Sequence, residues 1–145
     1  MNQAQPKSNL ERLQQQIITG HRYPMAETMN FKLIKVSEGS ATIEAMPEAR
    51  FINPMDRIHG GFTATLIDSA LGSAVSTKVE MNLGFGTIEL KVSYVRRIDL
   101  EQGVVYCTAT VLHAGRTMLT AEAKVTDAAG KLYAHGSGTF LVYPV

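Results

Sequence analysis

The sequence has little of several features that would assign it to a common class of protein. Its one cysteine cannot form a disulfide within the chain, which argues against a secreted, disulfide-dependent scaffold. A formal net charge of only +1 offers no basic field for nucleic acid, and tryptophan is absent. No apolar run reaches the roughly 18 residues that a membrane-spanning helix needs. We therefore expect neither nucleic acid nor a membrane as a partner.

The remaining composition is that of a globular protein. Of the 145 residues, 45% are hydrophobic and 19% are charged, which is enough apolar material for a core of ordinary size. We predict one domain over residues 1–145, with residues 1–7 as a frayed polar tail. Residues 1–16 are polar and lack the apolar segment of a signal peptide, so a cytoplasmic protein is expected.

The order of the secondary-structure patterns predicts an α+β fold. A capping box formed by Ser8 and Glu11, with Gly20 at the far end, predicts a short amphipathic helix, and residues 21–27 are predicted to form a loop. Because the later strands are joined by short connections, we expect antiparallel pairing. The predicted strands cover residues 29–36, 41–46, 87–95, 104–111, 117–125 and 131–143.

Residues 60–77 predict a long buried helix that carries one isolated charge. The segment is small or apolar nearly all round, and Asp68 is its only ionisable residue. A carboxylate in that setting loses hydration and needs a compensating role. It either caps a local group, faces water from one edge of the helix, or acts as a catalytic carboxylate in a cleft.

The start of this helix offers a second chemical feature. A helix N-terminus presents unpaired N–H groups, and Gly60 and Gly61 would let a carbonyl oxygen approach them closely, although two glycines also simply make a sharp turn. Asp68 lies eight residues beyond Gly60, a rise of about 12 Å in an α-helix. If both groups act on one carbonyl, the second must come from another copy of the chain, so the sites would lie at a dimer interface.

At these residues the sequence resembles a known family. The stretch 53–61, which ends in His59-Gly60-Gly61, and the later Asp68 are similar to the signature of hotdog-fold acyl-CoA thioesterases of the phenylacetic-acid-degradation (PaaI-like) type. Weaker similarities cover residues 94–97, 113–116, 127–131 and 138–140. The resemblance implies a curved antiparallel sheet wrapped around one long helix. It also implies dimers that commonly pair into tetramers, and thioester hydrolysis with no metal and no cofactor apart from the CoA ester itself.

The resemblance also implies roles for individual residues. Gly60 corresponds to the backbone donor to the thioester carbonyl, and Asp68 of the partner subunit to the catalytic carboxylate, acting as nucleophile or general base. Asn53 and His59 correspond to residues that orient water, the thiolate leaving group or the loop. Thr87 takes the place of a hydroxyl residue that helps to position the attacking water.

Five further residues are predicted substrate contacts. Arg96, Arg97 and Arg116 match the geometry of CoA phosphates, although each alone is more often a solvated charge. Gly61 and Phe62 are placed beside the substrate. The Arg96-Arg97 pair differs from the Arg-Pro more usual in the family, which changes how that strand can end.

We therefore predict an enzyme that hydrolyses a medium-chain or aromatic acyl-CoA to the free acid and CoA. One alternative is a hotdog dehydratase or hydratase of 3-hydroxyacyl thioesters, in which His59 and Asp68 would move a proton. The other is a protein that binds acyl-CoA without turnover, as a sensor or carrier.

Overall fold

A computed structural model gives the fold of residues 4–145, in which six strands surround one long helix. Two short 3₁₀ helices, Ala49–Phe51 and Leu100–Gln102, interrupt the connections. The helices are α1 (Asn9–Thr19), α2 (Pro24–Thr28) and α3 (Gly60–Ser76), and the strands are β1 (Phe31–Ser37), β2 (Ser40–Ala45), β3 (Leu83–Tyr94), β4 (Val105–Ala114), β5 (Met118–Thr126) and β6 (Leu132–Pro144).

The strands form one antiparallel sheet in the order β1-β2-β4-β5-β6-β3. The predicted α+β class and the antiparallel pairing are therefore confirmed. Strand β3 is an edge strand of 12 residues, and within the described part of the chain it pairs only with β6. Its register shifts between Thr87 and Glu89, which marks a β-bulge. One long strand edge is thus left without a partner in the single chain.

Helix α3 is buried because its side chains are small or apolar on nearly every face. Leu66, Ile67 and Leu71 have no exposed surface, and each such burial contributes about 1.5–3 kcal/mol. Two glycines of β6 allow the helix to approach. A Cβ on Gly136 or Gly138 would lie 3.0 Å from the side chain of Ile67 or Leu71, respectively. The sheet therefore wraps around α3, as the resemblance implies.

The first helix confirms its predicted caps. Ser8 Oγ accepts a hydrogen bond from Glu11 N–H at 3.1 Å, and Gly20 ends the helix with φ 68°. The loop predicted for residues 21–27 is wrong in its second half, because Pro24 occupies the first turn of the short helix α2, a position that suits proline. Of the predicted tail, residues 4–7 hold no helix or strand, and residues 1–3 lie outside the described residues.

The helices and strands pack around one hydrophobic core that runs from Leu13 in α1 to Phe140 in β6. The assignment of residues 1–145 to one domain stays a prediction for the chain as a whole. No helix within residues 4–145 is long and apolar enough to cross a membrane.

Candidate active site

The loop before α3 is shaped by the side chain of Asn53. Its Oδ1 accepts hydrogen bonds from the N–H groups of Met55 at 2.9 Å and Arg57 at 3.2 Å. His59 N–H then donates to Phe51 O at 2.8 Å, which fixes the entry into the helix. These bonds fix the shape of the loop, and the role that the resemblance implies for Asn53 in the reaction stays a prediction.

His59 caps α3, and its hydrogen bond gives the N–H groups of Gly60 and Gly61 different roles. Its Nδ1 accepts the Gly61 N–H at 2.7 Å, so in a neutral ring Nε2 carries the proton. The Gly61 amide is therefore occupied, and its predicted contact with substrate cannot use that donor. The Gly60 N–H has no acceptor among residues 4–145. It is a free donor at the positive end of the helix.

Tyr94 is a further residue at the N-terminal end of α3, and no sequence motif predicted its place there. Its hydroxyl donates to Gly60 O at 2.8 Å. A Cβ on Gly60 would lie 3.0 Å from the Tyr94 hydroxyl oxygen, so the close approach favours glycine. The available signal was the alternating apolar face of β3, whose last residue is Tyr94. Its contact with Gly60 spans 34 residues and has no local signature.

A cleft of about 480 Å³ opens beside Gly60, a volume typical of small-molecule sites. Arg96 and Arg97 both line it, as does Asn53. Arg97 Nε pairs with Asp99 at 3.0 Å, whereas Arg96 has no carboxylate within 4 Å in the described part of the chain. Arg57 also lines the cleft and has no carboxylate within 4 Å among residues 4–145, so the wall carries two unpaired guanidinium groups, those of Arg57 and Arg96.

Arg116 does not join the other two arginines. It lies in the turn between β4 and β5, and the neighbouring Met118 pairs with Leu141, which in turn pairs with Gly86 near the start of β3. Arg96 and Arg97 follow the opposite end of that strand. The predicted patch of three arginines is consequently not formed within one chain.

The second half of the predicted site lies in the middle of α3. Thr87 Oγ1 donates to Asp68 Oδ1 at 2.9 Å, a hydrogen bond strengthened by the carboxylate charge. Asp68 is half-buried, Thr87 is exposed at the bulge of β3, and Asp68 Oδ2 has no partner among residues 4–145. The carboxylate is therefore held by one oxygen and presents the other.

The two halves do not meet within one chain. Neither Asp68 nor Thr87 lines the cleft at Gly60, and eight residues of α3 place Asp68 about 12 Å along the helix. Phe62 is 2% exposed and stacks on Phe51 with 5.1 Å between ring centroids. Its side chain lies in the core and lines neither this cleft nor the cavity between α1 and α3, so its contact with substrate stays a prediction. No three His, Cys, Asp or Glu side chains of residues 4–145 are grouped as metal ligands.

Comparison with known proteins shows which family has this fold. The family model of the thioesterase superfamily matches residues 55–134. Human acyl-coenzyme A thioesterase 13 is 30% identical over 108 residues, covering 74% of this chain and 76% of that protein. The 1,4-dihydroxy-2-naphthoyl-CoA hydrolase of Listeria monocytogenes is 25% identical over 109 residues, covering 74% and 86%.

Among solved structures, a variant of the phenylacetic acid degradation protein PaaI of Thermus thermophilus superposes with a TM-score of 0.75. It is 25% identical, and the match covers 82% of this chain and 98% of that one. The chain described here belongs to the thioesterase superfamily. The predictions of a hotdog fold, of a PaaI-like relationship and of a thioester hydrolase are thereby confirmed.

Proposed function

We propose that this protein hydrolyses a medium-chain or aromatic acyl-CoA to the free acid and CoA. The observation that carries the proposal is the single helix that bears a free N–H at Gly60 and an oriented carboxylate at Asp68. The first suits the oxygen of a thioester carbonyl, and the second suits the activation of water. The names of the Listeria and Thermus relatives, which refer to aromatic acyl groups, support the aromatic part of this range.

The active unit is a dimer that pairs through β3. This edge strand exposes 56% of Ile88, 36% of Leu90 and 56% of Tyr94. A long, apolar, unpaired strand edge favours pairing with another strand, and exposed apolar patches of this kind mark interfaces. A further pairing of dimers into tetramers, which the resemblance implies, is part of the same proposal.

Pairing of β3 with its own copy would unite the two halves of the site. Thr87 contacts Asp68 and Tyr94 contacts Gly60, and these two strand residues are seven positions, or about 23 Å, apart. In an antiparallel pair related by a two-fold axis near Leu90, the Tyr94 end of one copy lies beside the Thr87 end of the other. Each dimer would then hold two complete sites, each with Gly60 from one chain and Asp68 from the other.

In the proposed reaction the thioester carbonyl oxygen accepts the Gly60 N–H of one chain. The helix N-terminus then stabilises the negative charge that develops on this oxygen during attack. Asp68 Oδ2 of the other chain takes a proton from the attacking water while Thr87 holds Oδ1. Collapse of the intermediate breaks the C–S bond, and the CoA thiolate takes up a proton. His59 lines the cleft, and in this proposal its Nε2–H donates to that thiolate and orients it.

A nucleophilic Asp68 is the alternative form of this step. In that case Oδ2 attacks the carbonyl, an aspartyl anhydride forms, and water hydrolyses it. Single turnover in ¹⁸O-water identifies a nucleophile whose anhydride is hydrolysed at the Asp68 carbonyl carbon, because the first acid is then unlabelled and the label stays on Asp68. A general base puts ¹⁸O directly into the product acid, as does hydrolysis of the anhydride at its acyl carbon, and trapping of the anhydride with hydroxylamine separates these two.

Arg96 and Arg97 are proposed to bind the CoA phosphates because both line the cleft at Gly60. Arg116, which lies at the other end of the sheet of its own chain, would reach the nucleotide only across the dimer.

The test is CoA release over a panel of acyl-CoA esters. Turnover of medium-chain or aromatic esters supports the proposal. Hydration of an enoyl-CoA without thiol release would replace it by a hydratase. The geometry does not favour that alternative, since His59 Nδ1 is occupied by the Gly61 N–H and Nε2 of a neutral ring carries the proton, which leaves the imidazole no free nitrogen to act as a base. Tight binding without turnover across the panel would instead indicate a sensor or carrier.

A further inference from the structure

A second cavity, of about 270 Å³, lies between α1, α2, β1 and α3. Its volume is close to the lower end of the range for small-molecule sites, about 300 Å³. Most of its wall is apolar, and this part comprises Leu13, Tyr23, Phe31, Leu33, Ile43 and Phe85.

The cavity lies beside the Asp68–Thr87 pair, because both α3 and β3 contribute residues to the cavity wall close to that pair. Gly72 lines it and follows Asp68 by four residues, so it lies one helical turn further along the same face of α3. Phe85 also lines it and precedes Thr87 by two residues, on the same face of β3. A carbonyl placed at Asp68 therefore has this cavity beside it for the attached acyl group.

Gly72 helps to leave the cavity open. Glycine is less favourable than alanine inside a helix, so its presence in the middle of α3 calls for a reason. No atom lies within 4 Å of the place that its Cβ would take, so neighbouring side chains do not require glycine. The absence of a side chain there adds volume to the cavity.

The charged side chains of residues 4–145 that line the cavity itself are all of one sign. Arg12, Arg22 and Lys32 line it, and no acidic residue does. Lys32 is paired with Glu44 at 3.4 Å, but neither guanidinium has a carboxylate within 4 Å among residues 4–145.

The two guanidinium groups instead make only long contacts with neutral acceptors. Arg12 Nη2 donates to Ser76 Oγ at 3.4 Å, and Arg22 Nη1 donates to Asn30 Oδ1 at 3.4 Å. Ser76 is itself 3% exposed and lines the cavity, so it places the Arg12 guanidinium at the cavity wall. An apolar cavity with unpaired guanidinium groups complements a ligand that is apolar in its middle and anionic at its end.

We propose that this cavity binds the acyl group of an ω-carboxyacyl-CoA, the mono-CoA ester of a medium-chain dicarboxylic acid, with Arg12 and Arg22 holding the free carboxylate. The proposal rests on the proposed thioesterase function. Ser76 lies eight residues beyond Asp68, about 12 Å along α3. An extended chain advances about 1.2 Å per bond, so about ten bonds span this distance, which fits a diacid of eight to ten carbons.

The experiment compares octanoyl-CoA with the mono-CoA ester of octanedioic acid. The two have the same chain length and the same CoA, so they differ only in the terminal carboxylate. The wild type, the double variant R12Q/R22Q and the control K124Q, which changes an exposed cation on β5, are assayed with both. We expect the double variant to lose at least about 10–100-fold in kcat/KM for the diacid ester, because removal of even one charge-assisted contact has an effect of that size. We expect octanoyl-CoA to change by less than about twofold, and K124Q to match the wild type.

Other outcomes overturn the proposal in distinguishable ways. An equal loss for both esters means that the guanidinium groups bind the CoA phosphates. Equal activity of the wild type on both esters, unchanged in the double variant, means that the cavity does not bind the carboxylate. If the wild type cleaves neither ester, turnover across the rest of the acyl-CoA panel, aromatic esters included, decides whether the proposed hydrolase function stands or fails. In that case the binding proposal is decided by the affinities of the two esters, measured with the wild type and with the double variant. A loss of affinity in the double variant that is confined to the diacid ester would support the proposal. Affinities that are equal in the wild type and the double variant would overturn it.

Discussion

The two halves of the proposed site lie on one helix but are built by different means. At the Gly60 end the proposed functional group is a backbone N–H, and the His59 cap, the Asn53 loop and the Tyr94 hydroxyl all contact that stretch of backbone. In the middle of α3 the proposed functional group is one side chain, Asp68, held by one hydroxyl from an edge strand. The backbone half should thus tolerate many side-chain changes nearby, whereas the carboxylate half depends on a single group.

The largest effect is expected from Asp68→Asn. The amide keeps the size of the side chain and one carbonyl oxygen for Thr87 but cannot take a proton from water. We expect kcat to fall by more than about a hundredfold, with a melting temperature close to that of the wild type. The control is Glu122→Gln, an exposed carboxylate on β5. Turnover that survives in Asp68→Asn would remove Asp68 from the mechanism.

Gly60→Pro tests the backbone half, because proline removes the N–H without adding a long side chain. The first position of a helix suits proline, and His59, with φ −60° and ψ 138°, already has the conformation preferred before it. We expect kcat to fall by about 10²–10³, the effect of losing one oxyanion donor.

Gly60→Ala is the matched control for this change. It keeps the N–H and adds only the Cβ that crowds the Tyr94 hydroxyl at 3.0 Å. A much smaller loss is expected in the steady-state rate. If alanine and proline reduce kcat equally, crowding explains the result and the donor role is lost.

Thr87→Val tests the carboxylate half and should lower kcat moderately. A hydrogen bond to a charged group contributes about 1.5–3 kcal/mol, which corresponds to roughly 10–100-fold in rate if the bond is needed throughout the reaction. Thr87→Ser keeps the hydroxyl and should retain most of the activity. A serine variant as slow as the valine variant would show that the methyl group at the bulge, and not the bond to Asp68, is what matters.

The smallest expected effect is on stability, from loss of the helix cap at His59. In His59→Ala the Gly61 N–H loses its acceptor, and we expect the free energy of unfolding to fall by about 1 kcal/mol. Asn is a good cap residue, so His59→Asn should recover most of this loss in urea denaturation. If it does, any decrease in kcat that remains in His59→Asn measures the contribution of the imidazole to orienting the thiolate. Equal stabilities of the alanine variant and the wild type would contradict the capping role.

The parts of the fold that sequence could predict are those with local patterns. The α1 caps and the isolation of Asp68 in an apolar helix are visible within a few residues of chain. The short helix α2 was missed because five residues carry too little periodicity to separate a helix from a loop. The burial of Phe62 in the core could not be predicted for a related reason, since a helix that is apolar all round does not show which side faces the core.

The remaining features of the site depend on contacts between distant parts of the chain. Tyr94 meets Gly60 across 34 residues, and the Arg12–Ser76 contact spans 64. The proximity of Thr87 to Asp68 was expected only from the resemblance, because the bulge that places Thr87 has no local pattern. The free edge of β3 likewise becomes visible only when the strand order is known.

The central claim is that each active site takes Gly60 from one chain and Asp68 from another, and it is tested by mixing two inactive variants. Asp68→Asn and Gly60→Pro are purified separately, denatured together in equal amounts and refolded, with each variant refolded alone as the control. Half of the dimers would be mixed, and each mixed dimer would hold one intact site and one doubly defective site. We expect the mixture to recover about a quarter of the wild-type rate of CoA release. A mixture no more active than the two variants alone would contradict it.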